Sequence, residues 1–297
     1  MRIPSGKPQV ARTIAELQRL RSSFAGQTVA FVPTMGALHE GHRSLIRLAR
    51  RHADRVVVSI FVNPLQFGPG EDYARYPRVL EHDLAACVEE GVDLVFVPGV
   101  RDLYPPGRQI LIGAGQMGAV LEGAARPGHF DGVLTVVLKL FNVVRPDRAI
   151  FGEKDAQQLA CIRRMVIDLN VTVDILGGPT VREPDGLALS SRNRFLSKPE
   201  RSSALALSAS LRSGAEQTCA PEVVSAARGR LTEAERDDPA FRLDYVALVH
   251  PTSFVEVPAD HTGEAILAVA AQVGTTRLID NVTVDLVGQG GMPRSDD

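Results

Sequence analysis

The sequence has no long hydrophobic run. Its longest strand-like apolar stretch, VVVSIFV at residues 56–62, is far shorter than the roughly 20 residues that a helix needs to span a bilayer. The first residues, MRIPSGKPQV, contain no apolar segment of the kind found in a secretory signal. We therefore expect a protein that binds no membrane and works in the cytoplasm.

Excess charge and clustered cysteines are also missing. The 33 Lys and Arg residues and the 35 Asp and Glu residues leave a formal net charge of −2, which gives no broad attraction to nucleic acid. A small-molecule partner is therefore favoured. The cysteines, Cys87, Cys161 and Cys219, lie far apart and show no CxxC or Cys/His spacing of a zinc site. We expect reduced, buried thiols.

The apolar content that is present suffices for a core. Hydrophobic residues make up 44% and charged residues 23%, as in ordinary globular proteins, and a length of 297 residues suits two domains. Through the first 180 residues, β-branched apolar runs alternate with amphipathic segments of helical length. This alternation indicates an α/β domain with a Rossmann-like, doubly wound parallel sheet. The predicted strands cover residues 28–33, 55–62, 93–98, 148–152 and 171–177.

The pattern changes near residue 180. A polar loop, VREPDGLALSSRNRFL, precedes alanine-rich helical segments over residues 198–236. Three more strands are predicted at residues 243–250, 265–273 and 276–284. We therefore predict a Rossmann-like domain over residues 1–180, a smaller C-terminal α+β domain over residues 181–288, and a disordered tail over residues 289–297.

The most informative stretch is PTMGALHEGH, residues 33–42. Pro33 ends a predicted strand, Gly36 permits a tight turn, and an amphipathic helix follows. His39 and His42 then fall in the first helical turn, three residues apart and on one face. A helix N-terminus carries unpaired N–H groups and a partial positive charge, so this pair suits a phosphate. A metal site is the alternative, but the zinc motif HExxH separates its histidines by four residues rather than three.

Longer strings around this stretch resemble a known family. HEGH resembles the HxGH signature of the nucleotidyltransferase superfamily, which includes class I aminoacyl-tRNA synthetases. The sequence is similar, block for block, to pantoate–β-alanine ligases, and this resemblance extends from about residue 28 to about residue 284. The strings that carry it are PTMGALHEGHRSLI, FVNPLQFGPGEDYARYPR, GHFDGVLTVVLKLFNVVRPDRAIFGEKDAQQL and DGLALSSRNRFLS. The resemblance implies a ligase that joins pantoate to β-alanine with ATP, through a pantoyl adenylate.

The same resemblance implies where ATP binds. His42 would donate a proton or a hydrogen bond to the phosphates, with His39, Lys154 and Arg192 as further catalytic groups. Mg²⁺ would accompany ATP, and the smaller domain would act as a lid. The implied ATP-binding residues are Met35, Gly36, Ala37, Leu38, His39, Glu40, Gly41, His42, Gly152, Glu153, Lys154, Asp155, Val181, Leu189, Ser190, Ser191 and Arg192.

Pantoate would be bound by neutral side chains. It carries a carboxylate and two hydroxyls, and amides can bind these groups without pairing the nucleophilic carboxylate with a strong cation. By the family's pattern Gln66 and Gln158 bind pantoate and Asn63 assists. Arg126 and His129 either lie near the entrance for pantoate or β-alanine or belong to a structural loop with surface ion pairs.

Three further expectations concern Glu122, Asp83 and the oligomeric state. Glu122 belongs to the same block as Arg126 and His129, LEGAARPGHFDGV. Asp83 is the best protein carboxylate for Mg²⁺, although an outward-facing acid on an amphipathic helix explains this residue almost as well. A homodimer is also implied.

Rival functions remain open at this point. Another HxGH-type nucleotidyltransferase, acting on a different small acceptor, would want additional Lys or Arg near a substrate phosphate, where this chain has the amides of NPLQF and DAQQL. A non-catalytic nucleotide-binding module would be supported by loss of His39, His42, Lys154 or Arg192, and all four are present. RNA binding is disfavoured because the chain has no basic excess.

Overall fold

The computed structural model describes residues 6–287, and the chain divides between Val181 and Arg182 into two compact units. The predicted disordered tail, residues 289–297, lies outside the described residues. Among the residues described, no helix combines the length and apolarity of a membrane span.

The first unit alternates strands and helices along the chain. Short 3-10 helices also occur at Pro64–Gln66, Gln116–Gly118 and Glu153–Asp155. The elements within residues 6–181 are, in chain order, β1 Gln9–Ala11, α1 Ile14–Ser22, β2 Val29–Thr34, α2 Glu40–His52, β3 Arg55–Ile60, α3 Leu80–Glu89, β4 Leu94–Phe96, α4 Val100–Leu103, α5 Glu122–Ala125, α6 His129–Val144, β5 Arg148–Gly152, α7 Ala156–Asp168 and β6 Asp174–Gly178.

These strands form a parallel sheet in the order β1-β4-β3-β2-β5-β6. Its central strands are buried on both faces. Phe31 and Val57 belong to the apolar cluster that includes α6, whereas Ala30 and Val58 belong to the one that includes Ile46 of α2. Strands covered on both faces must be apolar at nearly every position, which explains their continuous sequence pattern. The predicted α/β class with a doubly wound parallel sheet is confirmed.

Several strand limits differ from the predicted ones, most of all in the first unit at β4 and β6, and β1 was not predicted. β4 is limited to Leu94–Phe96, and β6 begins only at Asp174, because the preceding residues complete the end of α7. Asn170 takes a left-handed φ of 50°, and the N–H of Val171 reaches back to the carbonyl of Val166 at 3.0 Å, as in a helix C-cap. β1 was missed because a three-residue edge strand shows no readable periodicity.

The direction of the strand order reverses at β2. This strand pairs with β3 on one side and with β5 on the other, so the carboxyl ends of the three strands are neighbours. The segments PTMGALHEGH, FVNPLQF and GEKD leave the sheet at these ends. Ligands of open α/β sheets bind at such a reversal point. The topology therefore brings three predicted motifs to one edge of the first unit.

The second unit is an α+β structure, as predicted. The elements within residues 182–287 are a 3-10 helix at Ser191–Phe195, then α8 Lys198–Ala215, α9 Ala220–Asp237, β7 Phe241–Val249, β8 Gly263–Val273 and β9 Thr276–Leu286. The strands form an antiparallel sheet in the order β7-β8-β9. Leu207 of α8, Leu231 of α9 and Leu267 of β8 share its apolar core.

Candidate active site

A buried carboxylate holds the turn that follows β2. Gly36 (φ 85°) and Ala37 (φ 52°) lie in the left-handed region that favours glycine. The carboxylate of Asp83, on α3, accepts the N–H of Ala37 at 3.0 Å and the N–H of Leu38 at 2.7 Å. A Cβ added at Gly36 would lie 2.8 Å from Asp83 Oδ2. Asp83 is 1% exposed, so the alternative of an outward-facing acid is wrong.

The histidine pair forms the N-terminal cap of α2. His39 is the N-cap residue, and its Nδ1 accepts the N–H of Gly41 at 3.2 Å. In return, Nδ1 of His42 accepts the N–H of His39 at 3.3 Å. This is the reciprocal capping box usually made by Ser or Thr with Glu. The centroids of the two rings lie 4.1 Å apart. Because both rings accept backbone N–H groups at the start of α2, the cap fixes the positions of the two imidazoles.

The two cap bonds fix where each imidazole carries its proton. Because each Nδ1 accepts a backbone N–H, a neutral ring must hold its hydrogen on Nε2. Burial, helped by the neighbouring His39, lowers the pKa of His42 from 6.5 to about 3. His42 is therefore neutral at pH 7. The neutral ring carries one N–H donor, at Nε2.

The GEKD turn lies beside this pair. It forms a 3-10 helix, Glu153–Asp155, directly after β5. The charge of Asp155 raises the pKa of His42 and that of Lys154 lowers it, although both act less than burial. Glu153 faces β6, since its Oε1 lies 2.6 Å from the position that a Cβ on Gly177 would take. Lys154 therefore adds positive charge near the start of α2.

Glu40, another member of the predicted ATP-binding block, is engaged on the surface of α2. Its carboxylate accepts hydrogen bonds from Arg47 Nη1 at 2.6 Å and Nη2 at 3.2 Å. These bonds lower the pKa of Glu40. An acid in the first turn also complements the positive helix N-terminus. The structure thus gives Glu40 a helix-stabilising contact.

The amide of Gln66 is held in place from two sides. Its Oε1 accepts a hydrogen bond from Asn63 Nδ2 at 3.0 Å, and its Nε2 donates to Met35 Sδ at 3.2 Å. Asn63 also donates to the carbonyl of Gly132 at 3.1 Å and accepts the hydroxyl of Tyr104 at 2.8 Å. Asn63 is 1% exposed. Its hydrogen bond therefore holds the amide of Gln66 from the buried side, while Gln66 itself is half-buried.

Close packing of α6 sets the position of this amide pair. A Cβ added at Gly132 would lie 2.1 Å from the carbonyl oxygen of Leu65 and 2.7 Å from the nitrogen of Gln66. No side chain fits in that space, so glycine at this position lets α6 contact the Pro64–Gln66 turn directly.

Arg126 and His129 are tied to the backbone of Gln66. His129 Nδ1 donates to the Gln66 carbonyl at 2.8 Å, and Arg126 Nη2 donates to the same oxygen at 3.2 Å. Arg126 also pairs with both carboxylate oxygens of Glu71, at 2.9 and 2.6 Å, and lies 3.6 Å from Glu122. Burial, with the charge of Arg126, lowers the pKa of His129. The structure thus joins the predicted entrance residues to Gln66.

The chain matches a known protein family along most of its length. Residues 9–283 match the model of the family described as Pantoate-beta-alanine ligase. The chain belongs to this family. It is 58% identical to the pantothenate synthetase of Thermobifida fusca over 287 residues, which cover 94% of this chain and 96% of that protein. It is 55% identical to that of Mycolicibacterium smegmatis over 271 residues, covering 90% and 84%.

Solved structures of pantoate–β-alanine ligases share the fold. Pantothenate synthetase from Thermus thermophilus has a TM-score of 0.85 at 48% identity, covering 92% of this chain and 98% of that chain. The Francisella tularensis ligase, complexed with beta-gamma ATP and beta-alanine, has a TM-score of 0.76 at 36% identity, covering 93% and 97%. The family resemblance is confirmed, and the chain is a ligase that forms a carbon–nitrogen bond.

The DAQQL segment of this pantoate–β-alanine ligase contains two glutamines with different surroundings. Gln157 is buried, and its amide binds the backbone of three residues, Met117, Val120 and Glu122, at 2.8 to 3.1 Å. Gln158 is half-buried and makes no side-chain hydrogen bond within residues 6–287. Gln157 therefore braces a neighbouring loop, and Gln158 is the amide left available to a ligand.

The predicted LSSR loop of the ligase lies in the second unit. Ser190 caps the 3-10 helix by accepting the N–H of Arg192 at 3.2 Å. Asn193 Nδ2 donates to Glu183 Oε1 at 2.9 Å, and Glu183 pairs with Arg201 at 2.8 Å. The loop is therefore braced by the hydrogen bond from Asn193 to Glu183 and by the ion pair between Glu183 and Arg201 of α8. Leu189, Ser190, Ser191 and Arg192 are half-buried, as is Val181, the last residue of the first unit.

The described part of the chain contains no cluster of side chains typical of a metal-binding site. Within residues 6–287, no group of three or more His, Cys, Asp or Glu side chains is arranged to hold a metal ion. Both oxygens of Asp83 already accept backbone N–H groups. Asp83 as a Mg²⁺ ligand stays a prediction, and its carboxylate would have to bind the ion in addition to these two N–H groups. The zinc alternative for His39 and His42 lacks a third ligand here.

Two residues near the amide pair were missed by the sequence analysis. Tyr104 precedes a Pro-Pro pair and carries no motif signal. Glu71 lies within FGPGEDYARYPR, a string that carried the resemblance, so a search for acids that could pair with Arg126 could have found it. The contacts of Tyr104 with Asn63 and of Glu71 with Arg126 both join segments that are far apart in sequence.

Proposed function

We propose that this chain condenses pantoate with β-alanine, converting ATP to AMP and pyrophosphate through a pantoyl adenylate. The observation that carries the proposal is the juxtaposition at the reversal point of the sheet. A capped helix N-terminus with two imidazole Nε2–H donors follows β2, and the oriented amide of Gln66 follows the neighbouring strand β3. The first group suits a phosphate, and the second suits a small polar acid.

In the first step the pantoate carboxylate attacks the α-phosphate of ATP. A bond forms from a carboxylate oxygen to phosphorus, and the bond from phosphorus to the bridging oxygen of pyrophosphate breaks. Negative charge accumulates on the departing pyrophosphate. His42 and His39, the N–H groups at the start of α2, and Lys154 would stabilise that charge. Since His42 is neutral, it acts through its hydrogen bond.

Neutral amides would hold the attacking pantoate. Gln66 is fixed by Asn63 and Met35, and Gln158 has no competing partner among the described residues. Such groups bind hydroxyls and carboxylate oxygens without neutralising the nucleophile. We place Arg126 and His129 at the entrance for pantoate or β-alanine, because both bind the backbone of Gln66.

In the second step the amine of β-alanine attacks the carbonyl of the adenylate. A carbon–nitrogen bond forms, and the bond from the carbonyl carbon to the oxygen that bridges to phosphorus breaks. AMP leaves with that oxygen, and the nitrogen loses a proton. We propose that the second unit acts as a lid whose Ser190, Ser191 and Arg192 bind the triphosphate. Mg²⁺ would arrive with ATP and neutralise its phosphates.

We also propose a homodimer in the cytoplasm. The segment before α6 supports the dimer: Ile110 is 79% exposed and Leu111 is 51% exposed, unusual for large apolar side chains. Ile112 and Ala114 donate their N–H groups to side chains of α6, while alternate residues face outward. Sedimentation should show a dimer that L111D weakens and I167D, at an exposed apolar residue of α7, does not. A monomeric native chain would contradict this part.

An oxygen-labelling experiment tests the reaction. Pantoate with ¹⁸O in its carboxylate is incubated with ATP, Mg²⁺ and β-alanine, and AMP is analysed by mass spectrometry. The adenylate route transfers one labelled oxygen to each AMP formed. Unlabelled AMP would contradict that route, and failure to form pantothenate would favour a different acceptor.

A further inference from the structure

A tyrosine outside every motif supports the amide pair. Tyr104 follows α4, and its ring packs 6.1 Å from that of Phe61 between centroids. The residue is buried, and its hydroxyl donates to Asn63 Oδ1 at 2.8 Å. Burial raises the pKa of Tyr104, so the hydroxyl keeps its proton and remains a donor. Nothing in the reaction described above uses this group.

The hydrogen bond from Tyr104 completes the coordination of Asn63. Asn63 Oδ1 accepts this hydroxyl and, at a longer 3.2 Å, the N–H of Leu65. Asn63 Nδ2 donates one hydrogen to the Gly132 carbonyl and the other to Gln66 Oε1. Every polar atom of this buried side chain is therefore used, and the shortest of its four hydrogen bonds comes from Tyr104.

The hydrogen bonds of Asn63 also fix the orientation of the Gln66 amide. Because Asn63 donates to Gln66 Oε1, the Nε2 of Gln66 must face the other way, where it meets Met35 Sδ at 3.2 Å. Met35 belongs to the turn that leads into the histidine pair. A shift of Asn63 would therefore displace Gln66, whereas the hydrogen bonds that cap α2 involve neither residue.

We propose that Tyr104 is a positioning residue for pantoate: its hydroxyl holds Asn63, which in turn sets the amide orientation of Gln66. This role rests on the proposed function, in which Gln66 binds pantoate. Removing the hydroxyl leaves Asn63 Oδ1 with only the longer bond from Leu65. Asn63 then gains freedom to move, and Gln66 loses the fixed acceptor geometry that a bound hydroxyl or carboxylate requires.

The kinetic test compares Y104F with Y73F. Tyr73 is half-buried, and its hydroxyl makes no hydrogen bond within residues 6–287, so its loss controls for the change of residue type. We expect Y104F to raise the KM for pantoate by about tenfold, the effect of losing one hydrogen bond. The KM for ATP and kcat should change less than about twofold. Y73F should change none of these constants.

Two kinetic outcomes would overturn the proposal. An unchanged KM for pantoate in Y104F, even with lower thermal stability, would leave Tyr104 a merely structural residue. Equal increases in the KM values for pantoate and ATP would show a general loosening. The double variant Y104F/N63A adds a check: once Asn63 is truncated, removing the hydroxyl should have little further effect on pantoate. Full additivity would refute a route through Asn63.

A measurement without substrate separates this proposal from the proposed function. In the ¹H–¹⁵N spectrum of the ligand-free chain, Y104F should shift the side-chain amide signals of Asn63 and Gln66 and leave that of Gln158 in place. Unmoved Asn63 and Gln66 signals would overturn the positioning role. If the signals move but the native chain makes no pantothenate, the proposed function fails and the link from Tyr104 to Gln66 stands.

Discussion

Replacing Asp83 by asparagine should loosen the turn that carries the histidine pair. The native carboxylate accepts two backbone N–H groups, at 3.0 and 2.7 Å, in a site that is 1% exposed. D83N keeps the size and shape of the side chain but replaces one acceptor oxygen by an NH₂ group. Either Ala37 or Leu38 then loses its partner and faces a second donor.

The magnitude of this loss follows from its components. A hydrogen bond to a charged group contributes about 1.5–3 kcal/mol, and a buried donor left unpaired has a similar cost. We expect D83N to destabilise the first unit by about 2–3 kcal/mol. For a unit of this size that corresponds to roughly 4–12 °C in Tm. The matched control is E81Q, which removes an exposed carboxylate from the same helical turn and should shift Tm by less than about 2 °C.

The assay separates positioning from metal binding. Tm is measured without ATP or Mg²⁺, and adenylate formation is then titrated with Mg²⁺. A positioning role predicts the lower Tm, a lower rate of adenylate formation and an unchanged Mg²⁺ midpoint. An unchanged Tm together with a Mg²⁺ midpoint raised tenfold or more would refute the reasoning and make Asp83 a metal ligand.

Three other predictions concern packing, the two glutamines and pH. G132A should destabilise the chain by about 1–3 kcal/mol in urea unfolding because its Cβ meets backbone, whereas G229A, with open space in α9, should stabilise it by about 0.5–1 kcal/mol. Q158A should raise the KM for pantoate alone, while Q157A should lower Tm and raise the KM values for both pantoate and ATP; the reverse pattern would exchange their roles. The folded pKa of His42, about 3, lies below its ordinary 6.5, so the unfolded chain binds that proton first and stability should fall as the pH drops below 6.5. Histidine ¹⁵N shifts should show His42 neutral and protonated at Nε2 from pH 5 to 8; a titration near 6.5 would contradict this.

The features predictable from the sequence were those that depend on neighbouring residues. Strands β2 and β3 could be predicted because burial on both faces of the sheet requires an unbroken run of apolar residues. The position of HEGH, NPLQF and GEKD at one edge followed from parallel topology, since each segment comes directly after a strand. The capping box was legible in principle, because its two members lie three residues apart, but histidine is not a usual residue for that motif.

The features that escaped prediction depend on long-range partners. Asp83 and Ala37 are 46 residues apart, and Tyr104 and Asn63 are 41 apart. No local pattern shows that Asp83 faces inward to a turn or that a tyrosine hydroxyl reaches an asparagine. The family resemblance pointed to Gln158, but the residues alone did not distinguish it from Gln157, since the two are adjacent and chemically identical. Only the packing of α7 shows that Gln157 braces a loop.

The most direct test of the account is pyrophosphate exchange into ATP. Labelled pyrophosphate, ATP and Mg²⁺ are incubated with the chain, with and without pantoate, and β-alanine is left out. We predict exchange that requires pantoate, because a reversible adenylate step returns label to ATP before any amine is needed. Absence of exchange with pantoate, in a chain that still binds ATP, would contradict the adenylate mechanism.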